Sequence, residues 1–434
     1  MSANDRYVIL GLARPRASWF SAVAQWATSA SIPADFEKCV SAEELRVRLG
    51  SGRLHSAVLL DAALPAADRD LIDAARQAGC LVIIVDDRPN GRDWIGLGAG
   101  AVLGTGFDRQ ELMAALATAP RISRADAIPG PEGLGFASEP AVQRLAPVAM
   151  VCGSGGTGAS TVASALAQGL AARGPVPGDV LLADLALEAD LGVLHDAGDV
   201  VPGVLELVDA HRVGRPTSEQ IRAMTFWNAS RGHFLLLGLR RPRDWAALRP
   251  RSFDAAFTGL RASFGTVVCD VDADLDGERE TGSVELEERN VMARTVAATA
   301  DVAYVVGTPG IKGLHSLVRI IDRLIAFGLP ASAIVPVVNR GPRNPRAKAE
   351  IASAVAALRA GPEPVLSPLF LPERKVDEAF RDGAPLPAQL VSPLVGAWSG
   401  LVGRAARRTD RDREPVAVVP GSLGSWVERD EEML

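Results

Sequence analysis

The run Gly153-Ser154-Gly155-Gly156-Thr157-Gly158-Ala159-Ser160-Thr161 has the make-up of a cradle for phosphate. Glycines let consecutive backbone N–H groups converge on an anion, and a helix starting there adds the positive end of its dipole. The flanks suit that geometry. Residues 148–151 form an apolar run that reads as a buried strand, and residues 162–172, rich in Ala and Leu, read as a helix. Backbone amides from Gly155 through Gly156, Thr157, Gly158, Ala159 and Ser160 to Thr161 stay available to a phosphate, and the Ser160 or Thr161 hydroxyl to Mg²⁺. The full pattern for such a loop is G-x-x-x-x-G-K-[ST], and its lysine position holds Ala159. The loop has the backbone of a nucleotide site without that charge.

Two carboxylates stand where such a site needs them. Leu181-Leu182-Ala183-Asp184 and Thr266-Val267-Val268-Cys269-Asp270 are apolar runs that end in aspartate. Ligands of doubly wound folds bind at the carboxyl edge of the sheet, and a strand-end aspartate there orients Mg²⁺. Asp184, Asp270 and Ser160 are therefore the expected metal ligands, and the two aspartates are the catalytic residues if the site turns over. Apolar runs at 234–238, 302–307 and 334–339 complete the set. Strands separated by helical stretches imply a mostly parallel sheet covered on both faces.

Residues 7 to about 118 repeat the alternation on a smaller scale. Strands are expected at 7–12, 36–40, 57–60, 81–85 and 101–103, with helices at 18–28, 42–49, 67–77 and 109–117. The run Leu59-Leu60-Asp61-Ala62-Ala63-Leu64-Pro65 resembles the phospho-acceptor strand end of response-regulator receiver domains, with Asp61 at the acceptor position. That chemistry also needs acidic residues after the first strand, for Mg²⁺, and a lysine after the fifth. Here the first strand ends in Leu10-Gly11-Leu12 and the fifth leads into Gly104-Thr105-Gly106-Phe107. The expectation is a pseudo-receiver used for docking or localisation. Asp86 and Asp87 read as a solvated turn. Pro120, Pro129, Gly130, Pro131, Gly133, Gly135 and Pro140 mark residues 119–146 as a linker.

Taken in order, these stretches resemble the MinD/ParA family of deviant Walker ATPases, in particular its CpaE/TadZ branch, which includes the actinobacterial septum-site-determining proteins. The likeness runs from the glycine-rich loop through Asp184 to Gly192 and the Asp270 strand. It continues in Thr308-Pro309, Val337-Val338-Asn339-Arg340, Leu371-Pro372 and Asp382-Gly383-Ala384-Pro385-Leu386. The resemblance implies an α/β chain. A receiver-like (flavodoxin-like) domain at 1–118 would be followed by the linker, a P-loop NTPase-like doubly wound sheet at 147–408 and a disordered tail at 409–434. It also implies ATP or ADP with Mg²⁺ as ligand, Asn339 against the adenine, and a homodimer. The implied partners are proteins of cell division or pilus and secretion assembly, with recruitment to the pole or septum.

The departures from that family bear on catalysis. An active member reads K-G-G-x-G-K-[ST]-T, and its two lysine positions here hold Ser154 and Ala159. Its second aspartate after the 181–184 strand, which polarises the attacking water, falls on Ala186, with Glu188 and Asp190 displaced along the chain. Phosphoryl transfer relies on positioned charge, and removing one such group costs about 3–4 kcal/mol. Hydrolysis is expected to be very slow or lost. Ala159 alone matches CpaE-like relatives, so Ser154 is the stronger departure. Two alternatives use the same residues: an active ATP-dependent dimerising switch, with Lys312 or Arg340 replacing the lost cations, and an effector controlled by phosphorylation of Asp61.

The rest of the chain narrows the field. A length of 434 residues allows two or three domains, and 48% hydrophobic with 23% charged residues fits a globular chain. A net charge of −6 gives no reason to expect specific nucleic-acid binding, and membrane contact would be peripheral at most. Cys39, Cys80, Cys152 and Cys269 are scattered and read as buried thiols. With no apolar leader and no run of ~18 apolar residues, the expected location is the cytoplasm. Asp272, Asp274, Asp276, Glu278, Glu280, Glu285, Glu287 and Glu288 open like a calcium loop, but the closing position holds Ser283, so a solvated insertion is expected. His55, His195, His211, His233 and His315 show no metal spacing, and Trp94, Trp227 and Trp245 read as packing residues. Residues 394–402 are expected to form a closing helix, and Trp426 marks a docking motif in the tail.

Overall fold

The computed structural model describes residues 5–88, 92–120, 122–123, 145–174, 176, 178–198, 201–359, 361 and 363–411. In the first unit, strands β1 (Asp5–Leu12), β2 (Ala34–Cys39), β3 (Ala57–Asp61), β4 (Leu81–Val85) and β5 (Ala101–Leu103) alternate with helices α1 (Ser18–Thr28), α2 (Ala42–Gly50), α3 (Arg69–Gln77) and α4 (Arg109–Leu116). The five strands are parallel in the order β2-β1-β3-β4-β5. Every residue of β3 is buried, as a parallel strand covered on both faces must be. Trp19, Val23, Leu112 and Leu116 from α1 and α4 pack on one face, and Leu45, Leu71, Ile72 and Ala75 from α2 and α3 on the other. Several boundaries shift by one or two residues from those expected, β1 starting at Asp5 and β2 spanning Ala34–Cys39 among them. Helix α3 begins at Arg69 because Asp68 caps it, accepting from the Leu71 amide at 3.0 Å. The linker opens with β6 (Ile122–Ser123), antiparallel to β1; the rest of its proline-rich stretch lies outside the described residues.

The second unit has β7 (Val148–Gly153), α5 (Ala159–Ala171), β8 (Val180–Leu185), α6 (Leu191–Leu194), α7 (Val204–Val213), α8 (Ser218–Arg222), β9 (Phe226–Asn228) and β10 (His233–Leu236). Then follow α9 (Pro250–Ser263), β11 (Thr266–Val271), α10 (Glu278–Thr281), α11 (Val284–Arg289), α12 (Val291–Thr299), β12 (Val302–Gly307) and α13 (Ile311–Phe327). The chain continues through β13 (Ile334–Gly341), α14 (Pro345–Leu358), β14 (Leu369–Pro372), α15 (Asp377–Arg381) and α16 (Ala388–Arg411). The sheet runs β14-β13-β12-β7-β11-β8-β10-β9, parallel except at its β9–β10 edge. Helices α5 and α16 cover one face, with Leu166, Leu390, Leu394 and Trp398 in the core. Helices α7, α9, α12 and α13 cover the other through Leu207, Phe253, Val296 and Leu317. The stretch 394–402 thus lies within a closing helix against α5. The remainder of the tail, Trp426 included, is outside the described residues.

The units meet through α3. The Arg69 guanidinium, itself buried, donates to the carbonyls of His211 at 2.7 Å and Gly214 at 3.0 Å, at the C-terminal end of α7. Asp70, also buried, accepts from the Arg251 amide at 3.1 Å and from the Ser252 hydroxyl in the first turn of α9. A cation thus sits on one helix C-terminus and an anion on one N-terminus, each matching the sign of the helix dipole. Helix α9 has no cap from its own Arg249 side chain, so Asp70 fills that role from the other unit.

Candidate functional site

Strand β7 delivers the glycine-rich loop to the carboxyl edge of the sheet, between β11 and β12. Gly156 and Gly158 turn the chain with φ of 78° and 86°, values that a side chain would strain. A Cβ on Gly158 would also stand 2.5 Å from Asn339 Nδ2. The left-handed Gly158 lets α5 start at Ala159, a turn earlier than the sequence suggested, which places Ser160 and Thr161 in the first turn. Thr157 is buried and closes the loop on itself, its Oγ1 donating to the Ser154 carbonyl at 2.7 Å. Gly155 and Gly156 are exposed, and a Cβ on either would meet nothing within 4 Å. The mouth of the cradle is open.

The two positions at which the resemblance expects lysine, Ser154 and Ala159, have distinct surroundings. Ser154 turns towards α13, where its hydroxyl pairs with that of Ser316 at 2.7 Å. Ala159 offers only its backbone. The Asn339 amide, expected against a base, donates to the Thr157 carbonyl at 2.9 Å, while its Oδ1 accepts from the Arg340 amide at 2.9 Å. Arg340 has a left-handed backbone, φ 55°, and its guanidinium lies 3.4 Å from the Gly156 carbonyl. Lys312, exposed in the first turn of α13, makes no such contact among the described residues.

Asp184 and Asp270 are neighbours in the β8–β11 register and both are buried. Burial holds the Asp270 carboxyl up at about 7, against a hydrogen bond from Ser160 that favours ionisation, with Asp272 and Asp190 raising it further. Asp184 is raised well above the ordinary carboxylate range, first by burial and then by Asp270, while the Leu191 and Ala186 amides pull the other way. Its Oδ2 accepts from the Leu191 amide at 2.8 Å, but its buried Oδ1 has no hydrogen-bond partner among the described residues. Gly238 makes this close approach possible, because a Cβ there would meet the Asp184 carbonyl at 2.8 Å.

Mg²⁺ with a nucleotide phosphate fits this donor set. A cation beside the strand ends would give Asp184 Oδ1 a partner and favour ionisation of both carboxylates. The Ser160 hydroxyl already hydrogen-bonds Asp270, while the Thr157 amide is taken up within the loop by the Ser154 carbonyl at 3.1 Å. Ala186, where the resemblance expects a water-positioning aspartate, carries no carboxylate. Glu188 is exposed and lines a separate recess of about 300 Å³ with Trp245, Asp274 and Arg289. Asp190 is also exposed.

The other sequence candidates resolve into structure. The acidic run spans a loop at 272–276 and helices α10 and α11; Arg294 lies 3.7 Å from Glu280 and 3.5 Å from Glu287, while Glu278, Glu285 and Glu288 are exposed. No cluster of three or more His, Cys, Asp or Glu among the described residues could hold a metal by itself. The four cysteines are buried and unpaired, Cys39 with its thiol pushed up to about 11 by burial. Trp94 is buried, whereas Trp227 is 47% exposed and tilted against Phe234, and Trp245 lines the Glu188 recess. Asp61 lies buried at the end of β3, where Arg14 Nε holds it at 2.8 Å and the Arg14 and Ala63 amides donate to it at 3.2 and 3.0 Å. An arginine after β1 stands where receiver chemistry calls for carboxylates. Asp86 is no solvated turn residue: its side chain is nearly buried and accepts from Trp94 Nε1 at 2.8 Å. No helix among the described residues is long and apolar enough to cross a membrane.

No protein-family model and no curated protein matches the chain. Solved structures similar to it include a ParA family ATPase from Chlorobium tepidum TLS, at 18% identity and a TM-score of 0.46 over 58% of this chain and 98% of that one. The cell division ATPase MinD from Pyrococcus furiosus is 20% identical, with a TM-score of 0.44 over 59% of this chain and 100% of that one. The septum site-determining protein MinD from Pyrococcus horikoshii OT3, complexed with Mg-ADP, is 19% identical with a TM-score of 0.44, covering 61% and 98%.

Proposed function

We propose that this chain is a nucleotide-responsive positioning protein of the MinD/ParA type, with a CpaE-like arrangement and a site that binds ATP or ADP with Mg²⁺ but turns it over very slowly or not at all. The observation that carries the reading is the pairing of an open glycine cradle with two buried carboxylates, one of which leaves Asp184 Oδ1 without a partner. When bound, Mg²⁺ spreads and neutralises the phosphate charge. The amides of Gly155, Gly156 and Gly158 to Thr161 would hold the phosphates, Ser160, Asp184 and Asp270 would hold the cation, and Asn339 fixes the loop from β13. Ala186 leaves the water-positioning place empty of a carboxylate, and Ser154 is engaged with Ser316, so binding outlasts chemistry.

In this reading residues 1–118 are a pseudo-receiver that docks rather than signals, because Arg14 occupies Asp61. Residues 147–408 are the nucleotide unit. The output is protein contact with cell-division or pilus and secretion machinery, through a homodimer recruited to the pole or septum. The test is ATP turnover by the purified full chain beside Asp184→Ala and Asp270→Ala. Release of phosphate at the blank rate in all three is expected; steady turnover lost in the two variants would overturn the inactive reading.

A further inference from the structure

Resting on the reading that the loop binds a nucleotide, we propose that Arg340 supplies the phosphate cation that the loop lacks, reaching it from β13 rather than from within the loop. A cradle of bare amides and one helix dipole carries about half a positive charge, against several negative charges on a nucleotide. Ser154 and Ala159 contribute none. Arg340 is brought onto this loop, its Nη1 3.4 Å from the Gly156 carbonyl.

Three features distinguish this from a chance surface arginine. Its backbone is held at φ 55°, a left-handed conformation that a non-glycine residue adopts at a cost, and such positions cluster at ligand sites. The preceding residue anchors it: Asn339 accepts from the Arg340 amide and donates to Thr157, so residues 339 and 340 grip successive residues of the cradle. Finally, the Arg340 side chain is exposed and makes no salt bridge among the described residues, so its charge is uncommitted. A neutral carbonyl at 3.4 Å is a weak partner, and a phosphate oxygen is a stronger one for a planar guanidinium that donates in pairs. The guanidinium exchanges the Gly156 carbonyl for the phosphate. The wide-open space over Gly155 and Gly156 lets it do so without displacing another side chain.

The test is calorimetric titration of the full-length chain and of Arg340→Ala, Arg340→Lys and Arg340→Gly with ATP, ADP and AMP in Mg²⁺, at two salt concentrations. Loss of one charge-assisted contact is expected to weaken ATP binding by about ten- to a hundredfold in the alanine and glycine variants. Lysine should restore part of it, and the salt dependence should flatten when the charge is removed. Arg340→Gly also relieves the left-handed backbone, so its thermal midpoint without nucleotide should equal or exceed that of the parent, which separates lost binding from lost folding. Wild-type binding that Arg340→Ala and Arg340→Gly both keep sinks this inference alone. Absence of any nucleotide binding by the wild type sinks the underlying reading, and this inference with it.

Discussion

Asp270 and Asp184 carry the sharpest energetic statement at the level of single residues. The Asp270 carboxyl keeps its proton to about pH 7 in the fold, whereas an unfolded aspartate releases it near 3.8. Between those values the folded state binds more protons, so this residue's contribution to stability falls as pH rises from about 4 to about 7 and is flat above. Asp270→Asn removes that dependence. Its melting temperature relative to the parent should therefore climb across this window and level off, in parallel thermal scans at each pH without Mg²⁺. The same substitution should abolish any rise in melting temperature that Mg²⁺-ADP gives the parent. A parent and variant that stay parallel across the window would show that the carboxylate is not held against ionisation. Gly158 makes a second statement. Its φ of 86° and the Asn339 contact leave no room for a methyl, so Gly158→Ala should cost more than ~1 kcal/mol in denaturant unfolding. The glycines, strand-end aspartates and absent lysines were legible because each is a local pattern. The fates of Ser154, Asp61 and Arg340 were not, because their partners Ser316, Arg14 and Gly156 lie 162, 47 and 184 residues away.

Among the elements, helix α3 does what no periodicity could announce. Its first two residues act on different helices of the second unit, Arg69 on the end of α7 and Asp70 on the start of α9. Substituting Asp70 by alanine takes away the side-chain cap that α9 receives at its first turn. It should lower stability by about 1–2 kcal/mol, typical of a lost N-cap, and Arg69→Ala should cost at least as much, since it leaves buried carbonyls unpaired. A double-mutant cycle in denaturant gives the coupling between them. If each change stays within ~0.5 kcal/mol of the parent, α3 does not hold the units together. The sequence placed 67–77 only as a helix and said nothing of which partners Arg69 and Asp70 reach. The parallel strands themselves were readable, since β3, β8 and β12 are continuous apolar runs buried on both faces.

For the whole molecule, packed elements connect Asp61 in the first unit to Asp184 and Asp270 in the second. β3 ends at Asp61, the next helix is α3, α3 holds α7 and α9, and those elements flank β8 and β11, which carry Asp184 and Asp270. The fold class and order of units could be read from alternating strands and helices. The join between units could not, because it uses no repeated pattern and crosses 142 and 181 residues of chain. Nucleotide binding should stabilise the joined molecule by mass action, so its unfolding temperature should rise with the logarithm of ligand concentration once that exceeds the dissociation constant. The most direct measurement of the central claim is calorimetric titration of ATP and ADP into the full-length protein with and without Mg²⁺. Saturable binding that Mg²⁺ strengthens, with no continuing heat of turnover, is expected. No binding up to ~1 mM nucleotide, a ligand too weak to exceed about −4 kcal/mol, would contradict it.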